Sequence, residues 1–286
     1  MPARSRCAPL LFLAALAAPA IAPAQDAFSF ALLGDRTGEA QPGVYERVWR
    51  RIAEEKPAFV LGAGDSIEGM NDATAEAEWR EFLRILEPFK KYPLYLAPGN
   101  HDVWSPSSER LFERYSGHPV HYAFDYKTAH FTVLDNSRSD EFSPGELTFL
   151  EADLKAHAAQ PIKMIVSHRP SWLIQAAVGN LDFPLRRLAK EYGVRYVIAG
   201  HVHQIIHIEL DGVTYLSLPS AGGHLRLSGA YQDGWFFGYC MVRARSGALS
   251  FEVKEAPSGA SEGRATNLAD WGMAGLTKKA SAAGAK

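Results

Sequence analysis

The sequence predicts an α/β protein in which strands and crossover helices alternate before the chain turns to hairpins. Three observations carry that reading. Short apolar runs alternate with stretches of helical periodicity as far as Ala199, each apolar run stops at glycine or a polar cluster, and the remainder holds strand patterns joined by Asp-Gly and Ser-Gly turns. In order, residues 28–33 are an apolar run stopping at Gly34, as a buried strand feeding a loop does. Helical periodicity follows through Val44, Val48, Ile52 and Glu55. A strand at 59–61 ends in Gly62 and Gly64, and a helix over 73–88 carries Trp79, Phe82, Leu83 and Leu86 on one face. Residues 94–97 form a third strand before Pro98-Gly99. Strand, helix, strand, helix, strand is the order of a mostly parallel sheet. Residues 130–134 alternate as a strand, and Ser143 with Glu146 forms a capping box opening a helix that runs to Ala159. Residues 162–166 and 194–199 are further apolar strands, separated by a helix through Leu185 and Leu188. Strands at 205–210, 213–218, 235–242 and 249–253 then predict a second, mainly antiparallel sheet packed on the first.

Of 286 residues, 47% are hydrophobic and 22% charged, with 24 Gly and 17 Pro, which excludes disordered and fibrous classes. A formal charge of -2 supplies no basic field for nucleic acid, so no stable nucleic-acid partner is expected. Arg4 and Arg6 precede an apolar stretch at 10–22, and Ala22-Pro23-Ala24 offers a signal-peptidase site. Residues 1–24 therefore read as a cleaved secretory signal, and the destination as periplasmic or secreted. The run is shorter than the roughly 20 residues of a membrane span, and Pro19 breaks it, so no span is expected after cleavage. Cys7 lacks a lipobox, and Cys240 lies in an apolar strand and reads as buried. No zinc motif or disulfide framework can be built from these two cysteines. A single catalytic domain spans 25–255, and 256–286, rich in Ala, Gly, Ser and Lys, reads as a weakly ordered tail.

Polar clusters stand where apolar strands end: Gly34-Asp35-Arg36-Thr37, Gly64-Asp65, Gly99-Asn100-His101-Asp102, Ser167-His168-Arg169 and Gly200-His201-Val202-His203. Carboxyl ends of neighbouring strands in an open α/β sheet meet in one crevice. Aspartates, an asparagine and histidines there make a mixed O/N donor set, which suits Fe, Mn, Zn or Ni rather than Ca.

In this order, those clusters resemble the calcineurin-like metallophosphoesterase superfamily over residues 28–251. The resemblance implies a four-layer α/β/β/α sandwich of two mixed sheets flanked by helices. It also implies two divalent or trivalent metal ions (Fe, Mn, Zn), with a bridging hydroxide as nucleophile. Carried over by position, Asp65 bridges the ions; Asp35 and His203 hold one, and Asn100, His168 and His201 the other. His101 faces the scissile ester as proton donor, with Asp102 a candidate to orient its ring. Where the family has Asp-x-His, this chain has Asp35-Arg36-Thr37. A threonine is a poor ligand, so the first site is weakened and one ion instead of two is an alternative. The purple-acid-phosphatase branch also lacks that histidine and uses a tyrosine three residues after the second aspartate. Glu68 occupies the offset and becomes a candidate ligand.

Arg36 and Arg169 are candidate substrate-binding residues, since guanidinium forks suit phosphate oxygens, and so is His224, a glycine-flanked histidine near the end of a late strand. Alone, Asp35 or Asp65 would read as a turn or cap residue; the ordered series reverses that. Glu68 as a solvated acid, and Arg36 as a partner of Asp35, stay open alternatives. His118, His121, His130 and His157 read as surface or loop histidines and His207 as structural. Trp79, Trp172 and Trp235 read as core or groove-lining, and Trp104 as a pocket wall. The expected activity is metal-dependent hydrolysis of a phosphate mono- or diester on a small-molecule, lipid or nucleotide substrate. A non-catalytic phospho-ligand-binding or scaffold protein on the same fold is the alternative. An amide or lactone hydrolase is weakened by the lack of a His-x-His-x-Asp-His motif.

Overall fold

The computed structural model describes residues 27–258 and 263–272. The leader read at 1–24, with Cys7, lies outside the described residues. Among them, one six-stranded sheet comprises β1 (Phe28–Leu33), β2 (Val60–Gly62), β3 (Leu94–Leu96), β10 (Gly238–Arg245), β11 (Ala248–Glu255) and β12 (Ala265–Asn267), in the order β12-β11-β10-β1-β2-β3. The other comprises β4 (Tyr122–Tyr126), β5 (Ala129–Val133), β6 (Ile162–Val166), β7 (Tyr196–Ala199), β8 (Ile206–Leu210) and β9 (Val213–Ser217), in the order β4-β5-β6-β7-β9-β8. Among the described residues, six α-helices cover the outer faces: α1 (Val44–Glu55), α2 (Ala75–Leu86), α3 (Pro106–Ser116), α4 (Pro144–Ala156), α5 (Ser171–Ala177) and α6 (Pro184–Glu191). None of the described helices is long and apolar enough to cross a membrane.

The period of two along each strand makes the layers. In β1, Phe30 and Leu32 face the second sheet and pack with Phe59, Phe131 and Met164. Ala31 and Leu33 face the other way, onto Val48 and Ile52 of α1 and Trp79 and Phe82 of α2. Ile165 and Val197 of the second sheet likewise meet Leu150 and Leu154 of α4 and Trp172 of α5. The result is the expected four-layer sandwich with three apolar cores. Phe30 and Phe59 stack at 4.9 Å across adjacent strands, and Phe131 meets Phe59 edge-on at 5.5 Å to join the sheets.

Three readings need correction. The C-terminal strands do not form their own sheet: β8 and β9 complete the second, whereas β10 pairs antiparallel with β1, Cys240 opposite Leu32. Both sheets are therefore mixed. Strands apolar on both faces, such as β10, need neighbours on both edges, and β1 had one edge open. Within 256–286, read as a tail, β12 extends the first sheet and Trp271 reaches the inter-sheet core, 5.2 Å from Phe236, its indole N–H donating to Thr266 Oγ1. Ser143 does cap α4 by accepting from Glu146 N, but the Glu146 carboxylate instead accepts from Asp135 N (2.9 Å) and meets His121 Nδ1 (2.6 Å). The capping box is half formed.

His130 is no surface residue. Only 1% exposed, it bonds Asp125 Oδ1 through Nδ1 (2.7 Å) and Asp153 Oδ2 through Nε2 (2.8 Å), and stacks on His157 at 3.8 Å. Burial opposes its charge, but bonds and attraction to Asp153 and Asp125 outweigh burial and raise its pKa. Replacing His130 by Leu leaves Asp153 with only the Thr132 hydroxyl and the His157 ring and is expected to cost about 3 kcal/mol, read by urea unfolding at pH 6. A raised folded pKa stabilises fully below the unfolded value near 6.5 and fades as pH climbs through the folded value. The gap between wild type and His130→Leu should therefore shrink on the alkaline side; a pH-independent gap would refute the charged pair.

Candidate metal centre

The strand-end loops of both sheets meet at one rim, where the ligand-type side chains converge. His168, which follows β6, is fully buried and its Nδ1–H donates to the Ala63 carbonyl (2.8 Å), so Nε2 keeps its lone pair. That nitrogen meets Asn100 Oδ1 at 3.0 Å, His201 Nδ1 at 3.1 Å and Asp65 Oδ2 at 3.2 Å. Lone pairs facing one another without protons repel unless a cation sits among them. Electrostatics says the same. Burial lowers the proton affinity of His168, yet Asp65 outweighs burial and pushes it up to about 9, while His201 is pushed down to about 4 by burial and by His168. Asp65 is held far below the usual carboxylate range despite burial, by His168 and His101. A positive charge belongs at this point, and a metal ion fits it.

The second position lies at Asp35, on the loop after β1. Both its oxygens accept from His201 N–H (2.8 and 3.0 Å), and His203 Nε2 stands 3.3 Å from Oδ2. His203 Nδ1 donates to the His224 carbonyl (2.8 Å), leaving Nε2 buried with no hydrogen-bond partner. An orphaned imidazole nitrogen beside a buried carboxylate also fits a metal. Thr37 supplies nothing here: its hydroxyl donates to the Ile67 and Asp65 carbonyls (2.7 and 3.1 Å) and latches two loops together. Glu68 does not replace it. Its exposed carboxylate is instead occupied by the amides of Glu39 (3.3 Å) and Ala40 (2.7 Å), from which it accepts.

Backbone conformation aims these side chains. Asp65, His201 and His203 have φ of 57°, 70° and 59°, left-handed values that L-residues adopt at a cost of about 1–3 kcal/mol each. Gly99 lets the third loop approach: a Cβ there would stand 2.1 Å from Asp65 Oδ1.

His101 donates its backbone N–H to Asp65 Oδ1 (2.9 Å), and its ring Nδ1 bonds the Glu68 carbonyl, which leaves Nε2 for a substrate. Asp102 does not orient that ring. It is buried and accepts from Ser66 N (2.8 Å), Ile67 N (3.3 Å) and Gly99 N (2.9 Å), so it braces the two loops that carry Asp65 and Asn100. Burial and the nearby Asp65 raise it to about 7. Arg36 donates to the Ser66 carbonyl and lies over the Tyr45 ring, which holds it on the α1 side. Arg169 is at the centre: Nη1 lies 3.4 Å from His201 Nε2 and pairs with Asp140. His224 sits on the rim, its ring 5.8 Å from that of His203 and its Nδ1 on the Gly38 carbonyl.

Asn136 was not singled out in the sequence. Its Oδ1 accepts from His168 N and Arg169 N (both 3.0 Å) and its Nδ2 donates to Arg169 O, fixing the loop behind His168. It follows β5, so the strand-end rule that found the other clusters also covers it. Among the described residues, Asp125, His130 and His157 also bring three ligand atoms together, but both His130 nitrogens already bond carboxylates, so no cation is missing there.

Comparison with known proteins agrees with this geometry. The family model of calcineurin-like phosphoesterases matches residues 28–205. The chain is 26% identical over 199 residues to the 3',5'-cyclic adenosine monophosphate phosphodiesterase CpdA of Escherichia coli (strain K12), covering 66% of this chain and 70% of that one. It is 23% identical over 187 residues to Purple acid phosphatase 15 of Arabidopsis thaliana, 56% of this chain and 35% of that one. The structure of purple acid phosphatase PPD1 from yellow lupin (Lupinus luteus) seeds shares the fold at a TM-score of 0.66 and 16% identity, over 84% of this chain and 54% of that one. The chain thus spans about half the length of the lupin enzyme. With the family match running from the first strand through the Gly-His-x-His loop, the protein belongs to the calcineurin-like phosphoesterase family and is a metallophosphoesterase.

Proposed function

We propose that the protein hydrolyses phosphate mono- or diesters at a two-metal centre that Asp65 would serve from both sides. Asp35 and His203 would hold one ion, and Asn100, His168 and His201 the other. The observation that carries this reading is His168 Nε2, turned away from Ala63 and surrounded at 3.0 to 3.2 Å by Asn100 Oδ1, His201 Nδ1 and Asp65 Oδ2. Bound there, metals supply Lewis acidity, lowering the pKa of water toward about 7 and neutralising phosphate oxygens in the transition state.

The chain's own residues do the rest. The His101 amide and the His168 ring hold the Asp65 carboxylate in one orientation. The Glu68 carbonyl turns His101 so that Nε2 can give a proton to the departing oxygen. Arg169, tied to Asp140 and the Ser137 carbonyl, offers its remaining N–H groups to phosphate. Read with the leader at 1–24, this chemistry takes place in the periplasm or outside the cell.

Purified protein given Mn, Zn or Fe is expected to hydrolyse p-nitrophenyl phosphate, its bis-ester or 3',5'-cyclic AMP, the last chosen because CpdA is named for it. Inertness toward all three with metals bound would favour the phospho-ligand-binding alternative. With Thr37 committed to backbone, the Asp35 position has fewer donors, so graded chelation is expected to remove one ion before the other. Elemental analysis showing both leaving together would contradict unequal sites.

A further inference from the structure

The loop after β9 carries a guanidinium that nothing in the established chemistry uses. Among the described residues Arg226 makes no ion pair and no side-chain hydrogen bond, and its Nε is buried without a partner. This is unusual beside the other arginines of the rim: Arg36 donates to Ser66 O, and Arg169 to Asp140 and Ser137 O. Arg226 is half-buried, so the charge is partly removed from water with nothing to offset it.

Its position explains what is missing. The place a Cβ on Gly38 would take lies 3.0 Å from His203 Cε1, 3.4 Å from His203 Nε2 and 4.0 Å from Arg226 Nη2. That one point beside Gly38, whose φ is +81°, lies within 4.0 Å of both the orphaned His203 nitrogen and the unpaired guanidinium, so the two groups are neighbours. The loop is anchored there. Ala221 N and Gly223 N donate to Asp35 O, His224 N donates to Gly38 O, and His203 Nδ1 donates to His224 O. Arg226 follows that anchor by two residues, beside the metal position rather than on a free arm.

We propose that Arg226 is a substrate-binding residue that takes a non-bridging phosphate oxygen on the Asp35–His203 side and favours dianionic phosphomonoesters over monoanionic diesters. The inference rests on the metal-centre reading and adds the substrate class. A monoester carries close to two negative charges above its second pKa of about 6, and its extra anionic oxygen suits the guanidinium fork. In a diester that oxygen is esterified, neutral and bulkier, so Arg226 gains little from it.

The test uses the metal-loaded full chain and two variants, Arg226→Gln and Arg226→Lys, each checked for unchanged melting temperature and metal content. Calorimetry with inorganic phosphate at pH 8 is expected to show about 10- to 100-fold weaker binding in Arg226→Gln, the range of a hydrogen bond to a charged group. Arg226→Lys should recover part of it. The kcat/KM for p-nitrophenyl phosphate should fall by a similar factor, and that for the bis-ester by less than about threefold. Unchanged phosphate affinity in Arg226→Gln, or equal losses on both esters, overturns the assignment. A wild type that hydrolyses neither ester sinks the phosphoesterase reading instead, so the two failures are distinguishable.

Discussion

Replacing Asp65 by Asn is expected to lower turnover about a thousandfold, equivalent to about 4 kcal/mol of transition-state stabilisation, and to reduce the metal bound at saturation. Asparagine keeps the size of the side chain and an oxygen to accept from His101 N–H, so the loop geometry has little reason to change. What disappears is the negative charge that outweighs burial in holding His168 positive without metal and that offsets repulsion between two ions when they bind. The apo fold should tolerate the change, because an asparagine N–H in the place of Asp65 Oδ2, 3.2 Å from His168 Nε2, can donate to the neutral ring and leave neither group without a partner. The combination is diagnostic: an unfolding midpoint close to wild type, fewer ions by elemental analysis and a collapse in turnover. Wild-type turnover with a full complement of ions would remove Asp65 from the bridging position.

The same physics explains what was legible in the sequence. The strands β1, β2, β6 and β7 are buried on both faces, or nearly so, and therefore read as continuous apolar runs. Ligand-type residues follow them because the rim is where their ends meet. Helix α3 did not show itself: Pro106–Ser116 buries only Ser108 and Phe112, so its apolar stripe is too thin for periodicity to register. Its start was nonetheless written in Ser105 and Ser108, whose side chains cap each other's amides. The partnership of β10 with β1 lies outside local pattern altogether, since both are apolar and pairing is decided by which sheet edge is open.

In the site, position along the chain revealed which loops meet but not which way each side chain turns. Asp102 stands beside His101 in sequence, yet three backbone amides draw its carboxylate inward. Glu68 has the offset of a ligand, yet two amides of the turn after Gly38 donate to its carboxylate. Arg36 was drawn to Ser66 O and the Tyr45 face, and Arg226, which no spacing rule marked, borders the centre. Short polar side chains at strand ends are claimed first by nearby orphan backbone groups. Those left unclaimed, such as His203 Nε2, are the ones free for chemistry.

That criterion isolates the second large effect, at His101. Its Nδ1 is spent on the Glu68 carbonyl and its backbone N–H on Asp65, so only Nε2 can act on a substrate. Replacing His101 by Asn keeps a side-chain N–H for Glu68 and the backbone donor for Asp65, and deletes Nε2 alone. If that nitrogen protonates the leaving group, the loss in kcat should reach about 10²- to 10⁴-fold for alkyl phosphates and be much smaller for p-nitrophenyl phosphate, whose phenolate needs no proton to depart. A plot of log kcat/KM against leaving-group pKa should therefore steepen in the variant while its metal content stays that of wild type. An equal loss across the leaving-group series would mean that His101 Nε2 positions the phosphoryl group rather than moving a proton, because a misplaced substrate slows every ester alike.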